Sequence, residues 1–308
     1  MLDLETFLLR HPLWPLANLA VLCAFAFLYA RGWRRLRNVD PGLANRLRLV
    51  VFVIASTAFA AALVAPVHAL SGQLLSMRAL QKLLLCMMAA PLLWLACPAH
   101  VMTWGLPSRW RRAVTRSVLR RSAQGRLIRR LTHPLIAWLA FVSVFLLWHD
   151  PAVVDRTFDN GWLHVATAWA LFLAALLFWW HVVGTGPRIH AALPLWMGIV
   201  YLLAVEIPNM AAGVTVAFTS TPLYSHYVTA HAALAGIPRL PLGIMEDQMM
   251  AGALVWVTGS LVYISSIITI VYRVLAQHDI HQPEPFANWD AHERMIAPGL
   301  EHRVARDG

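Results

Sequence analysis

Histidine and methionine side chains recur near the ends of the apolar segments and could together bind a soft metal ion. Met245 and Met249 lie one helical turn apart in MEDQMM, so two thioethers could face one metal. His149 ends one apolar segment and His164 begins the next, which allows both imidazoles to reach the same depth. Thioethers select Cu(I), and imidazole binds copper generally. The pattern indicates a copper site. The alternative is that the methionines fill apolar gaps and the histidines form hydrogen bonds at helix ends.

Two charged residues lie inside apolar segments, where a charge needs a partner. Lys82 is the only lysine of the chain and lies near the start of the apolar run LQKLLLCMMAAPLLWLACP. Glu206, in LLAVEIPNM, is the only acidic residue well within an apolar segment. Charges inside a bilayer are costly and usually pair with one another. We therefore expect a buried ion pair between Lys82 and Glu206. The alternative is that Lys82 reaches out to the membrane surface along its flexible stem.

The composition is that of a membrane protein. Of the 308 residues, 59% are hydrophobic and 13% are charged, with a mean hydropathy of +0.60. A soluble protein would carry about 25% charged residues. The formal net charge of +10 does not indicate nucleic acid binding, because the arginines are concentrated between the apolar segments. The three cysteines form no CxxC pair, so neither a zinc site nor a disulfide framework is indicated.

Seven apolar segments are candidates to cross a bilayer, which takes about 20 residues, and the fourth of them is short. They predict an all-α membrane protein, a seven-transmembrane-helix bundle occupying residues 1–276 and followed by a polar cytoplasmic tail at 277–308. The predicted spans are residues 13–30, 47–67, 81–104, 134–149, 162–183, 193–218 and 249–275.

The arginines predict the orientation of this bundle. The loop between the third and fourth spans holds nine arginines from Arg109 to Arg130 and no acidic residue, whereas the next loop carries Asp150, Asp155 and Asp159. Basic loops stay in the cytoplasm. We therefore expect the N-terminus outside and the C-terminus in the cytoplasm, with the candidate copper ligands at the outer face.

Five motifs in this order resemble the polytopic assembly factors known as the caa3-type CtaG family. They are AAPLLWLACP (89–98), WHDPAVVD (148–155), LHVATAWALFLAALLFWW (163–180), PLYSHY (222–227) and DQMMAGALVWVTG (247–259). The resemblance runs from about residue 66 to residue 275. By this resemblance, His149 and His164 match metal ligands of the family. Asp247 and Gln248 match polar residues of unassigned role. Where the family has two histidines one turn apart, this chain has Arg78 and Lys82.

The resemblance implies a role in assembling copper-containing cytochrome c oxidase, with copper handled at the periplasmic face. It also implies a multi-pass protein of the bacterial inner (plasma) membrane that is not an enzyme. Its partners would be cytochrome c oxidase subunits and the lipid bilayer, and no nucleic acid. One alternative is a metal-free accessory or scaffold subunit of a respiratory oxidase, since a lysine at a ligand position cannot bind a metal cation. Another is a copper permease.

Overall fold

The computed structural model describes residues 13–64, 67–118, 123–187, 189–191, 193–234 and 242–281, and every regular element in these ranges is a helix. Two of the long helices contain a π-helical stretch, one at Leu84–Ala89 and the other at Leu254–Thr258. In chain order the helices are α1 (Leu13–Leu36), α2 (Arg46–Leu63), α3 (Val67–Leu70), α4 (Leu75–Leu95), α5 (Pro98–Gly105), α6 (Ser108–Val118), α7 (Ala123–Leu131), α8 (Pro134–Leu147), α9 (Pro151–Asp159), α10 (Gly161–Val183), α11 (Leu195–Phe218), α12 (Ser225–Leu234) and α13 (Ile244–His281).

Within the described ranges, six helical segments are long and apolar enough to cross a membrane, and a bent pair makes a seventh candidate span. The pair is α7 with α8, which meet at an angle of 56°. The bend follows from Pro134, because a residue that precedes proline avoids the helical conformation. His133 is accordingly extended and accepts a hydrogen bond from the Leu135 N–H at 3.3 Å. The prediction of an all-helical bundle is confirmed, with six to seven spans.

Helix α4 lies at the centre of the bundle. It packs against α2, α10 and α13 and is the most buried of the candidate spans. Pro91 cannot donate a hydrogen bond to the preceding turn, and the helix widens into its π-helical stretch just before this residue. Within that stretch, the Cys86 carbonyl accepts a hydrogen bond from the Trp179 Nε1–H of α10 at 2.7 Å.

The predicted third span, 81–104, needs correction at both ends. Helix α4 begins at Leu75 because Asp247, on α13, accepts hydrogen bonds from the backbone N–H groups of Leu75 and Ser76. Lys82 therefore lies about two turns inside the helix instead of at its start. At the other end, Cys97 has a left-handed backbone (φ 52°) before Pro98, and the chain restarts as the separate helix α5.

Close backbone contact fixes α11 against α13. A Cβ atom added at Gly213 would lie 2.7 Å from the Cβ of Trp256, and one at Gly252 would lie 2.5 Å from the Gly213 oxygen. Real Cβ atoms do not approach so closely, so both positions require glycine. This contact holds the first turns of α13, which carry Asp247 and Gln248, against the neighbouring helices.

Two regions lie beyond the bundle proper. The arginine-rich loop predicted between spans three and four contains the helices α6 and α7. The last helix continues to His281, so the first residues of the predicted 277–308 tail are helical. Residues 282–308 lie outside the described part of the chain.

Candidate functional site

Five histidines gather at one end of the bundle, which we call the histidine end: His68, His149, His164, His226 and His231. Aromatic contacts connect three of them, His68, His164 and His226. Phe158 of α9 stacks on His226 at 3.7 Å between ring centroids and lies 5.5 Å from His164. His226 also donates to the Gly72 carbonyl at 2.8 Å. Turns and helix starts from five parts of the chain therefore meet in one polar cluster.

Asp247 organises the base of this cluster. Its carboxylate is 1% exposed and accepts hydrogen bonds from Leu75 N at 2.7 Å, from Ser76 N at 3.1 Å and from the Ser76 hydroxyl. His231 Nε2 lies 3.8 Å away. A carboxylate at the N-terminus of a helix satisfies free N–H groups and the positive end of the helix dipole. Asp247 thus caps α4 from another helix, a role that the sequence left unassigned.

Gln248 fixes the connection that leads into α12. Its side-chain oxygen accepts from Leu223 N at 2.8 Å, and its amide donates to the Thr221 carbonyl at 3.2 Å. This connection carries Tyr224, whose hydroxyl donates to the His149 carbonyl at 3.1 Å. Burial raises the pKa of Tyr224 to about 12, so the hydroxyl remains a donor at neutral pH. Gln248 therefore acts as a structural support for the cluster.

Lys82 and His149 are direct partners. His149 Nδ1 donates to the Phe145 carbonyl at 2.8 Å, which leaves Nε2 as the acceptor nitrogen of a neutral ring. Lys82 Nζ lies 2.6 Å from this Nε2 and 4.2 Å from the centroid of the Phe145 ring. The amine of Lys82 therefore takes the position that a metal would need at His149.

Arg78 lies one turn before Lys82 and is buried among aromatic rings. The centre of its guanidinium is 4.4 Å from the Trp148 ring and 5.2 Å from the Phe158 ring. Its side chain is 3% exposed. Guanidinium groups stay protonated in proteins, so this residue places a permanent positive charge in the middle of the histidine end.

His164 faces His68. The rings of His68 and His164 lie 5.3 Å apart between centroids. Gln81 Nε2 donates to His68 Nδ1 at 3.1 Å and to the Ala62 carbonyl at 2.7 Å, which orients that ring. The pair borders a cavity of about 230 Å³ between α1, α9 and the start of α10. The two rings that the sequence predicted to meet have different partners, Lys82 for His149 and His68 for His164.

The four predicted copper ligands have different surroundings in the structure. His149 uses both ring nitrogens in protein hydrogen bonds, and His164 faces His68. Met245 is half-buried, whereas Met249 is 54% exposed and points away from the core. Within the described ranges, no three side chains among His, Cys, Asp and Glu are arranged to hold a metal. The residues around Lys82 do not fit a bound copper ion.

The predicted ion pair between Lys82 and Glu206 is wrong. Glu206 lies on the face of α11 that packs against α13, where it accepts from the Ser260 hydroxyl and from Asn209 Nδ2 at 3.3 Å. Lys82 faces α8 and its partner is His149. The depth of each residue along its span did not predict its partner, because the two side chains point toward different neighbouring helices.

Sequence reasoning missed several polar contributors to the cluster. Tyr227 donates to the Ser71 carbonyl at 2.6 Å and also interacts with Arg78. Asp155 accepts from the Ser225 hydroxyl at 2.6 Å and from His226 N at 3.1 Å. WHDPAVVD and PLYSHY supply most of these groups. The polar residues within these two motifs are the sequence signal that could have identified these contributors.

The comparisons with known proteins place the chain in a family. A family model described as cytochrome c oxidase caa3 assembly factor matches residues 27–277, which is most of the chain. No match was found among curated proteins or solved structures. The five sequence motifs all lie within the matched region. The chain belongs to the caa3-type CtaG family of cytochrome c oxidase assembly factors.

Proposed function

We propose that this chain assists assembly of a caa3-type cytochrome c oxidase as a membrane scaffold, without copper between α4 and α8. The hydrogen bond of 2.6 Å between Lys82 Nζ and His149 Nε2 carries this proposal. A copper ion needs an imidazole with a free nitrogen lone pair, and Lys82 occupies that nitrogen. The fixed charge of Arg78 one turn away would further repel a metal cation.

Several features support a role through contact with other proteins. The histidine end is held by hydrogen bonds from Asp247, Gln248 and Tyr224 that fix its loops. Rigid loops at the end of a helical bundle present a defined surface to a partner. We propose oxidase subunits as that partner, at the bacterial inner membrane, with no catalytic step performed by this chain.

The orientation is part of the proposal. The helices α6 and α7 carry seven of the nine arginines between Arg109 and Arg130, and they contrast with the acidic α9 region next to the histidine end. The positive-inside rule favours a periplasmic histidine end. Alkaline phosphatase fused after Asn160 should then be active in cells, and a fusion after Gln124 should be inactive. The reverse result would contradict the orientation.

Copper handling is the second candidate function. It is favoured by the facing rings of His68 and His164 beside their 230 Å³ cavity, and by the exposed thioether of Met249. Such groups would pass Cu(I) along at the surface of the bundle instead of holding it at its centre. This function predicts that His68→Phe and Met249→Leu reduce oxidase maturation when copper is scarce.

Deletion followed by complementation separates the two functions. Oxidase activity of membranes is measured in a deletion strain at low and at added copper, with the wild-type gene and with His164→Phe as complementing copies. A scaffold predicts lost activity that added copper does not restore, and it predicts restoration by His164→Phe. Rescue of the deletion strain by copper alone would favour copper handling.

A further inference from the structure

Two cations are buried side by side on α4 without an acidic partner. Arg78 is 3% and Lys82 is 2% exposed, and they lie one helical turn apart on the same face. Among the described residues neither forms an ion pair with a carboxylate. Two guanidinium nitrogens of Arg78, Nε and Nη1, have no hydrogen-bond partner. Buried charges are normally paired, so this arrangement needs an explanation.

The nearby acidic residues are already used elsewhere. Asp247 accepts three hydrogen bonds at the start of α4. Asp155 accepts from Ser225 and from the backbone of His226, and Asp150 caps α9 by accepting from Val153 N at 3.0 Å. None of these carboxylates bonds to Arg78 or Lys82. Among the described residues, no carboxylate supplies the compensating charge.

A small cavity lies where such a charge would be needed. It has a volume of about 30 Å³ and is lined by Arg78, Lys82, His149 and Tyr224, with apolar walls from Ala79 and Val216. One water-sized species needs about 10–15 Å³ measured in this way. The guanidinium lies against the rings of Trp148 and Phe158, and its Nε and Nη1 have no acceptor among the described residues.

We propose that this cavity binds one small monovalent anion, of the size of chloride, between Arg78 and Lys82. A water molecule could accept the free N–H bonds but would leave the charge of Arg78 uncompensated. A monatomic anion accepts these N–H bonds and also compensates the charge of Arg78. It further stabilises the ammonium form of Lys82. His149 completes the site as a neutral acceptor for Lys82, so the imidazole orients the amine toward the anion.

The test uses the purified full-length protein in detergent, exchanged into sodium gluconate at fixed pH and ionic strength. Replacing gluconate by chloride or bromide should raise the thermal unfolding midpoint with a saturable dependence, whereas sulfate should have no such effect. Arg78→Gln should weaken the apparent chloride affinity by at least about tenfold, the scale of one lost hydrogen bond to a charged group. Arg156→Gln is the matched control, since Arg156 is exposed at the same end.

Line broadening of the ³⁵Cl resonance provides a second measurement that does not depend on the variants folding. The wild-type protein should broaden the signal, and bromide should reverse this by competition. The proposal is overturned if the midpoint does not respond to anion identity, if chloride acts equally on Arg78→Gln and Arg156→Gln, or if no competitive broadening occurs. Because no copper enters this test, its outcome is independent of the assembly function.

Discussion

The two ends of the bundle each hold a group of histidines, but the surroundings of these groups differ. At the end that carries the arginine-rich helices, His181 Nε2 donates to the Thr132 carbonyl at 2.9 Å and His190 Nε2 lies 2.8 Å from the Thr132 hydroxyl. His133 caps α8. At the histidine end, His149 instead accepts from a buried lysine, and Arg78 lies next to it.

This difference separates histidines in structural hydrogen bonds from those of the proposed functional cluster. Near Thr132, each ring satisfies a polar group of the connection between α7 and α8, and the surrounding arginines lie toward the surface. At the histidine end the rings border cavities and face cations buried in the central helix. Histidine content alone does not identify a site; the charges and the space next to the rings do.

The largest expected effect comes from removing the two cations that distinguish the histidine end. In Arg78→His/Lys82→His, imidazoles occupy the two positions at which the family carries histidines, and His149 Nε2 loses its lysine partner. We expect this variant to bind Cu(I) stoichiometrically, because three imidazoles would then converge. Competition with a colorimetric Cu(I) chelator measures the binding. Arg78→Gln/Lys82→Gln removes the same charges without adding ligands, and equal copper uptake by both variants would contradict the prediction.

The next largest effect concerns the support of the histidine end. Asp247→Ala removes the acceptor for two backbone N–H groups and the Ser76 hydroxyl at the start of α4. Buried donors left without a partner cost about 1–3 kcal/mol each, so we expect the free energy of unfolding to fall by at least about 3 kcal/mol. Asp150→Ala, a cap at the surface, should cost about 1 kcal/mol. Thermal and denaturant unfolding in detergent measure the free energy of unfolding of both variants. Similar losses of stability in the two would show that Asp247 does not stabilise the start of α4.

Much of the fold could be predicted because it depends on local properties of the chain. Apolar length predicts helices such as α10 and α11, and Pro134 predicts the start of α8. The beginning of α4 could not be predicted, because the carboxylate that caps it belongs to Asp247, which follows it by more than 170 residues. The partner of Lys82 could not be predicted either. The position of a residue along its span gives only its depth in the membrane. The rotation of the helix about its own axis determines which neighbouring helix the side chain faces.

A double-mutant cycle tests the corrected partner of Lys82. Lys82→Met and His149→Phe should show a coupling energy of about 1–3 kcal/mol, the range for residues in one hydrogen-bonded network. Lys82→Met and Glu206→Gln should be additive within about 0.5 kcal/mol, since Glu206 bonds to Ser260 and Asn209 instead. Unfolding free energies of the single and double variants provide both values. Strong coupling of Lys82 with Glu206 would reinstate the pair that the structure excludes.

The smallest expected effect lies at the other end of the bundle. His181→Phe removes one hydrogen bond to the Thr132 carbonyl but keeps an aromatic ring that can stack on Trp180 as His181 does. A net loss of about 0.5–1.5 kcal/mol in unfolding free energy is expected, with oxidase assembly unchanged in a complemented deletion strain. His149→Phe is the matched variant, since it too replaces a half-buried imidazole by phenyl, yet it leaves Lys82 without its acceptor. If His181→Phe abolished oxidase activity while the protein remained folded, the arginine-rich end would also be functional, and the distinction between the two groups of histidines would fail.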